Sequence, residues 1–198
     1  MSRRGTNLML DQFSYWLMQG NVFNTQQGDA GTLIDFAETA YDEDQPQWSL
    51  LVPSGTIVMP LSLIVDLTDA AGTDTTIVWS AAEASIGNGT STGLTIKSSR
   101  VDAATTIASA CTSRSLYTGN AAAATGLFEF ARMQDAFAQA AGSTVRYALD
   151  AKSDSNLPIL VGPATLQMHI HATSTAPKGF GNYSWLEVPS GHFSADRT

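Results

Sequence analysis

From Gln47 to Leu67 the chain alternates short apolar, β-forming stretches with turn residues: Trp48-Ser49-Leu50-Leu51-Val52, then Pro53-Ser54-Gly55, then Thr56-Ile57-Val58-Met59, then Pro60, then Leu61-Ser62-Leu63-Ile64-Val65. Proline cannot donate to a β-ladder and interrupts helices, so the runs on either side of it predict short antiparallel strands. Much of the remaining sequence has the same character. Val145, Tyr147 and Leu149 fall on one face of a period-two stretch, and Leu166, Met168 and Ile170 on one face of another. Thr32–Glu38, Thr75–Ala81, Leu94–Lys97 and Gly179–Val188 add further strands, with turns at Gln27–Gly31, Thr68–Thr73 and Gly87–Thr90. The strands flanking Thr68–Thr73 read as a hairpin. Eight or more strands at this spacing, with no βαβ rhythm and no internal repeat, predict an all-β chain folded as a single antiparallel β-sandwich.

The segment from 120 to 142 reads two ways. Leu127, Phe130, Met133 and Phe137 stand at helical spacing, whereas Gly126 to Met133 also alternates as a strand with Phe128 and Phe130 on one face. The strand is preferred in an all-β setting, although the run Ala121–Ala124 favours helix. Residues 104 to 115 carry weak patterning. At the N-terminus, Asn7 as N-cap and Gly20 as C′ residue bound a short amphipathic helix with Met9, Phe13, Trp16 and Leu17 along a stripe. Residues 1–28 are accordingly expected to form an arm with this helix, and residues 29–198 the sandwich. The helix holds more large side chains than one buried stripe needs, so Met9, Phe13, Tyr15, Trp16, Leu17 and Met18 are the candidate assembly-interface residues.

Charge and cysteine content limit the function. The chain carries 10 basic and 18 acidic residues, a net charge of -8. That balance opposes direct nucleic-acid binding, which requires clustered cations. Charged residues make up 14% of the sequence, against about 25% in a typical domain, so the surface is rich in uncharged polar groups suited to packing against neighbours. The lone Cys111 has no internal partner and reads as a buried small hydrophobe, in keeping with assembly in a reducing cytoplasm. No stretch is long and apolar enough to span a bilayer.

No site for chemistry emerges. His169 and His171 share a strand face and could touch one metal, but alternation puts them opposite Leu166, Met168 and Ile170, on what is expected to be a solvated face, and no third ligand is evident. Asp42, Glu43 and Asp44 lack the spacing of a calcium loop and read as a solvated acidic turn. There is no nucleophile elbow, phosphate loop or dinucleotide fingerprint. Catalytic, metal and cofactor residues are therefore expected to be absent.

The runs Pro53-Ser54-Gly55-Thr56-Ile57-Val58-Met59-Pro60-Leu61 and 141–153, with the closing strand through Tyr183, Trp185 and Glu187, resemble segments of β-sandwich virion proteins of tailed bacteriophages, including capsid decoration or cement proteins. The resemblance implies a jelly-roll-like domain that assembles with other capsid proteins as a homo-oligomer, a trimer first among the symmetries, on a virion built in the host cytoplasm. Separately, a sandwich with only Lys97, Lys152 and Lys178 to blunt its edges calls for those edges to be covered, and sister copies would cover them. The competing expectation is a carbohydrate-binding module in which exposed Trp48, Trp79, Tyr117 or Trp185 stacks on sugar rings.

Overall fold

The structure, a computed structural model, describes residues 12–29, 31–36, 40–71, 74–84, 86, 89–101, 107–118, 126–135, 144–153, 157–172 and 175–192. One helix, α1 (Gln12–Gln19), precedes the strands β1 (Val22–Gln27), β2 (Ile34–Asp35), β3 (Trp48–Val52), β4 (Thr56–Ala71), β5 (Thr75–Ala82), β6 (Thr90–Leu94) and β7 (Ile96–Ser98). Then follow β8 (Thr112–Thr118), β9 (Phe128–Asp135), β10 (Val145–Asp150), β11 (Leu160–Val161), β12 (Ala164–Ala172) and β13 (Thr175–Pro189). They form two antiparallel sheets. A seven-stranded sheet has the order β10-β4-β13-β1-β7, with β11 also on β4 and β2 on β13, and a six-stranded sheet has the order β6-β8-β3-β12-β5-β9.

The sheets share one core because each strand turns alternate residues inward. Val58, Leu63, Val65, Leu67, Phe23 and Trp185 of the first sheet meet Leu50, Ile77, Leu166, Met168 and Ile170 of the second. Trp48 stacks on Tyr183 across the layers with ring centroids 4.0 Å apart, and Trp79 meets both rings edge-on. Each such large side chain, fully buried, contributes about 1.5–3 kcal/mol. The polar ends of the rings are paired: Tyr183 donates to Gln27 Oε1 at 2.9 Å, Gln27 donates to the Gln47 carbonyl at 2.7 Å, and Trp48 donates to Ser113 Oγ at 2.9 Å. Gly181 provides the space for the Tyr183 hydroxyl, since a Cβ there would lie 2.0 Å from it.

Several sequence expectations change. The turn at Pro53–Gly55 is present, with Gly55 at φ 84°, but Pro60 lies inside the 16-residue β4. The register with β13 shifts where Pro60 faces Trp185 and Ser62 faces Ser184. The extra residue forms a bulge that accommodates the missing N–H and moves the inward set from Val58 to Leu63, Val65 and Leu67. β4 and β5 do not form a hairpin: they lie in different sheets, each burying a face in the shared core. Residues 22–27, assigned to the arm, are β1, paired with β13 on one side and β7 on the other, so the sheet begins at Val22. Of the 120–142 segment, Phe128–Asp135 form the strand β9; Ala121–Ala124 lie outside the described residues.

Helix α1 ends as its sequence predicts. Gly20, at φ 80°, donates to the Leu17 carbonyl and Asn21 to the Trp16 carbonyl, the paired bonds of a Schellman stop. The expected N-cap, Asn7, lies outside the described residues. Trp16 and Leu17 pack on Val22, Met59, Leu61, Leu186 and Val188, which face away from the main core. The helix thus covers the outer side of the seven-stranded sheet.

Candidate functional site: the covered outer face of β12

Strand β12 points Leu166, Met168 and Ile170 into the core, as expected. Its other face, Thr165, Gln167, His169 and His171, is not the solvated surface that alternation predicts: Gln167 is 0% exposed and His169 2%. Two chain segments cover it. The stretch from Ala40 to Gln47 crosses one end, where the Tyr41 ring lies 5.0 Å from His169 and 6.0 Å from His171. Its acidic residues form a self-contained turn in which Asp42 accepts from the Asp44 amide at 2.9 Å and from the Gln45 side-chain amide at 3.0 Å.

At the other end, Thr165 Oγ1 accepts from the Ile86 amide at 3.2 Å and donates to the Ala84 carbonyl at 2.9 Å. Ala82, Ile86 and Tyr117 form a small outer core there with Leu51 and Leu127. Tyr117 reaches this face because Leu116 takes φ 48°, left-handed for a residue with a side chain. The Tyr117 hydroxyl meets Ser49 Oγ at 2.8 Å.

Between the two covers runs a seam of buried polar atoms: Ser80 Oγ, both amide atoms of Gln167 and Nδ1 of His171 have no hydrogen-bond partner, and the His169 ring lies among them beside the Glu43 carbonyl. They are contiguous because Ser80 faces Gln167 across the ladder, Val78 faces His169 and Thr76 faces His171. Buried polar groups are nearly always paired, so a run of unpaired ones on one face is where this molecule departs most from a purely structural interior. Burial drives the His169 pKa from 6.5 down to about 4, against the opposing pull of the Glu43 carbonyl and the Asp42 carboxylate. His171 is lowered by burial and then by Arg132 of β9. At neutral pH His169 is therefore an uncharged ring able to donate and accept. Among the described residues no group of three His, Cys, Asp or Glu side chains is arranged to hold a metal.

The other sequence candidates separate. Of the helix residues, Trp16 and Leu17 are used on the protein's own sheet, while Tyr15 and Met18 are 49% and 58% exposed. Met9 and the side chain of Phe13 lie outside the described residues. Beside Leu17 an open, mainly apolar groove of about 540 Å3 is bounded by Val22, Leu61, Ser62 and Lys152. Trp48, Trp79, Trp185 and Tyr117 are all buried, so none presents a ring to a sugar. Cys111 is buried and its thiol pKa is pushed up by burial, then by the nearby Glu187 carboxylate. That carboxylate accepts from Trp185 Nε1 at 2.7 Å, the Ala110 amide at 2.9 Å and the Ser109 hydroxyl, an anchor for the approach to β8. No signal in the sequence marked Gln167 or Tyr41, because the cover and the covered strand are far apart in the chain.

Among the described residues these features define a mostly β protein of two antiparallel sheets with one short α-helix. The sequence matches no protein-family model and no curated protein. Among solved structures, the infectious bursal disease virus VP2 subviral particle is a weak neighbour at 13% identity and a TM-score of 0.17, covering 88% of this chain and 43% of that one. The chain thus spans less than half of that neighbour's length, and a superposition that loose does not equate the two folds. Among the described residues no helix is long and apolar enough to cross a membrane.

Proposed function

We propose that this chain is a non-enzymatic virion structural protein with a jelly-roll domain, acting through assembly with its own copies and other capsid proteins. The observation that carries the reading is the nesting of its strand pairs. β1 pairs with β13, β3 with β12, β4 with β10 and β5 with β9, all antiparallel. With the short β2 and β11 and the β6–β8 excursion set aside, first lies on last and second on next-to-last, a long ribbon folded back on itself. Wrapping it brings β13 beside β4 and β12 beside β5, as in the two Greek keys of a jelly roll, an architecture used by viral capsid and lectin domains.

Three further features favour assembly over the other uses of such a fold. The space between the layers is filled by Trp48, Trp79 and Tyr183 in mutual contact. The tryptophans that a glycan-binding face would need are internal. Helix α1 presents Tyr15 and Met18 outward beside an apolar groove, where aromatic and methionine side chains are favoured at interfaces. The finer reading, a decoration or cement protein on a tailed-phage capsid with three-fold symmetry, follows from the resemblance of the sequence and extends this proposal. Sedimentation velocity and negative-stain imaging of the purified full chain test it. A defined oligomer that binds capsid particles, with binding lost in Tyr15→Ala/Met18→Ala, supports the reading; a monomer at all concentrations with no particle binding overturns it.

A further inference from the structure

The segment 40–45 lies across the outer face of β12 without being built into it. On one side the chain is anchored at Phe36, a core residue whose amide donates to the Pro177 carbonyl at 3.0 Å. On the other it is anchored at Gln47, whose amide donates to the Met168 carbonyl at 2.9 Å and whose own carbonyl accepts from Gln27 and from the Leu116 amide. Phe36, Pro46 and Gln47 are buried, whereas every residue from Ala40 to Gln45 is half-buried or exposed. The hydrogen bonds of the segment run mainly within it: Asp42 accepts from the Asp44 and Gln45 amides and from the Gln45 side chain, and the Gln45 carbonyl accepts from Gln47 Nε2. Its hold on β12 is narrow, the Tyr41 ring on His169 and His171 and the His169 ring against the Glu43 carbonyl.

Beneath that hold, Val78 faces His169 across one ladder and Arg132 across the next, and Val78 is 1% exposed. Tyr41 senses the charges of Glu129 and Arg132 on β9 while its ring lies on His169, so it spans this row and covers Val78. Closure leaves Nδ1 of His171 buried with no partner, a group that water would satisfy once the cover lifts. A poorly buried segment held by few contacts opens at a lower free energy than the domain beneath it.

We propose that 40–45 is a strap that swings off β12 when His169 takes up a proton, hinged at Pro46 and Gln47 and leaving both sheets intact. The groups facing His169 are Tyr41, Asp42 and Glu43 of the strap and His171 of its own strand; β5 offers the uncharged Val78, and behind it β9 offers Arg132 in its ion pair with Glu129. Burial disfavours the charged ring and His171 adds to this, while the Glu43 carbonyl and Asp42 pull the other way; burial prevails, and the covered ring titrates at about 4. Uncovered, it regains water and the ordinary value of 6.5. The open form therefore binds the proton more tightly, and acid favours it. Between pH 7.5 and 5 the opening constant rises by up to about thirtyfold. This device stands independently of the virion role.

The test uses the full chain carrying Val78→Cys, labelled with a dithiodipyridine from pH 7.5 to 5, each rate normalised to the same protein in urea. Cys111, buried in the core, reports global opening in the same sample, with the two sites separated by peptide mass. The thiol introduced at position 78 is expected to react faster as pH falls while Cys111 does not, and adding His169→Leu is expected to abolish the acceleration. Both thiols accelerating together, a rate at position 78 that does not respond to pH, or an acceleration that survives His169→Leu would each overturn the switch. NMR of the wild-type chain supplies a reading free of substitutions: loss of the Tyr41–His169 ring contact at pH 5 with the sheet amide signals unchanged supports the strap, and a contact that persists to pH 5 overturns it.

Discussion

The ring of Tyr41 lies over that of His169, centroids 5.0 Å apart, and this contact turns the outer face of a core strand into interior. The histidine is uncharged as a result. Its folded pKa of about 4 lies below the ordinary 6.5, so between those values the unfolded chain binds more protons than the folded one. The stabilisation is complete above pH 6.5 and is lost progressively as pH falls toward 4. The gap corresponds to about 3 kcal/mol as an upper figure. Thermal midpoints measured from pH 7.5 to 4 should fall across this window and flatten in His169→Leu; an unchanged slope in the variant would remove His169 as the cause.

Tyr41→Ala removes the cover rather than the covered group. It should cost about 1–2 kcal/mol, part of it the ring–ring contact, and let the His169 titration move up toward 6.5 in an NMR pH series. If His169 still titrates near 4 in this variant, its burial comes from elsewhere.

Tyr183→Phe leaves Gln27 Oε1 without the donor seen at 2.9 Å. An acceptor stranded in the core costs about 1–3 kcal/mol, read as a lower urea midpoint with an unchanged slope. Gly181→Ala should be at least as harmful, because its Cβ would meet the Tyr183 hydroxyl at 2.0 Å, and combining it with Tyr183→Phe should relieve part of that cost.

If the chain assembles as proposed, the helix divides its residues between folding and assembly. Trp16→Ala opens the packing on Leu186 and Val188 and should lower stability by about 2 kcal/mol or more. Tyr15→Ala should leave the thermal midpoint within about 0.5 kcal/mol of wild type and act on particle binding alone. Equal thermal losses in the two variants would contradict this division of the helix.

Strands β10 and β12 were readable because each has an apolar residue at every second position, a pattern that needs no knowledge of the rest of the fold. At β9 the local pattern fits helix and strand alike, and only the all-β context favours the strand. What local pattern could not supply was any relationship spanning the chain. Nothing around His169 announces that a segment more than a hundred residues earlier will cover it, and nothing around Thr68–Thr73 distinguishes a hairpin from a passage between layers. The bulge beside Pro60 and the left-handed Leu116 are set by tertiary fit, the first by pairing with β13 and the second by the outer core around Tyr117. The tryptophans illustrate the same point: their type suits a core or a binding surface equally, and only the packed layers decide between them.

The pairing of Val22 with Leu186 has a consequence for synthesis. A chain emerging from the ribosome N-terminus first holds β1 ready long before β13 exists, and β3 before β12, so the outer pairs of the ribbon cannot close until β12 and β13 have left the exit tunnel. Of the ribbon's own pairs only the inner one, β5 with β9, can close early, after β7 on β1, β8 on β3 and β6 on β8. Until then the first strands expose apolar faces and open edges to every neighbouring nascent chain, and a crowded polysome is the setting in which this protein has most need of chaperones.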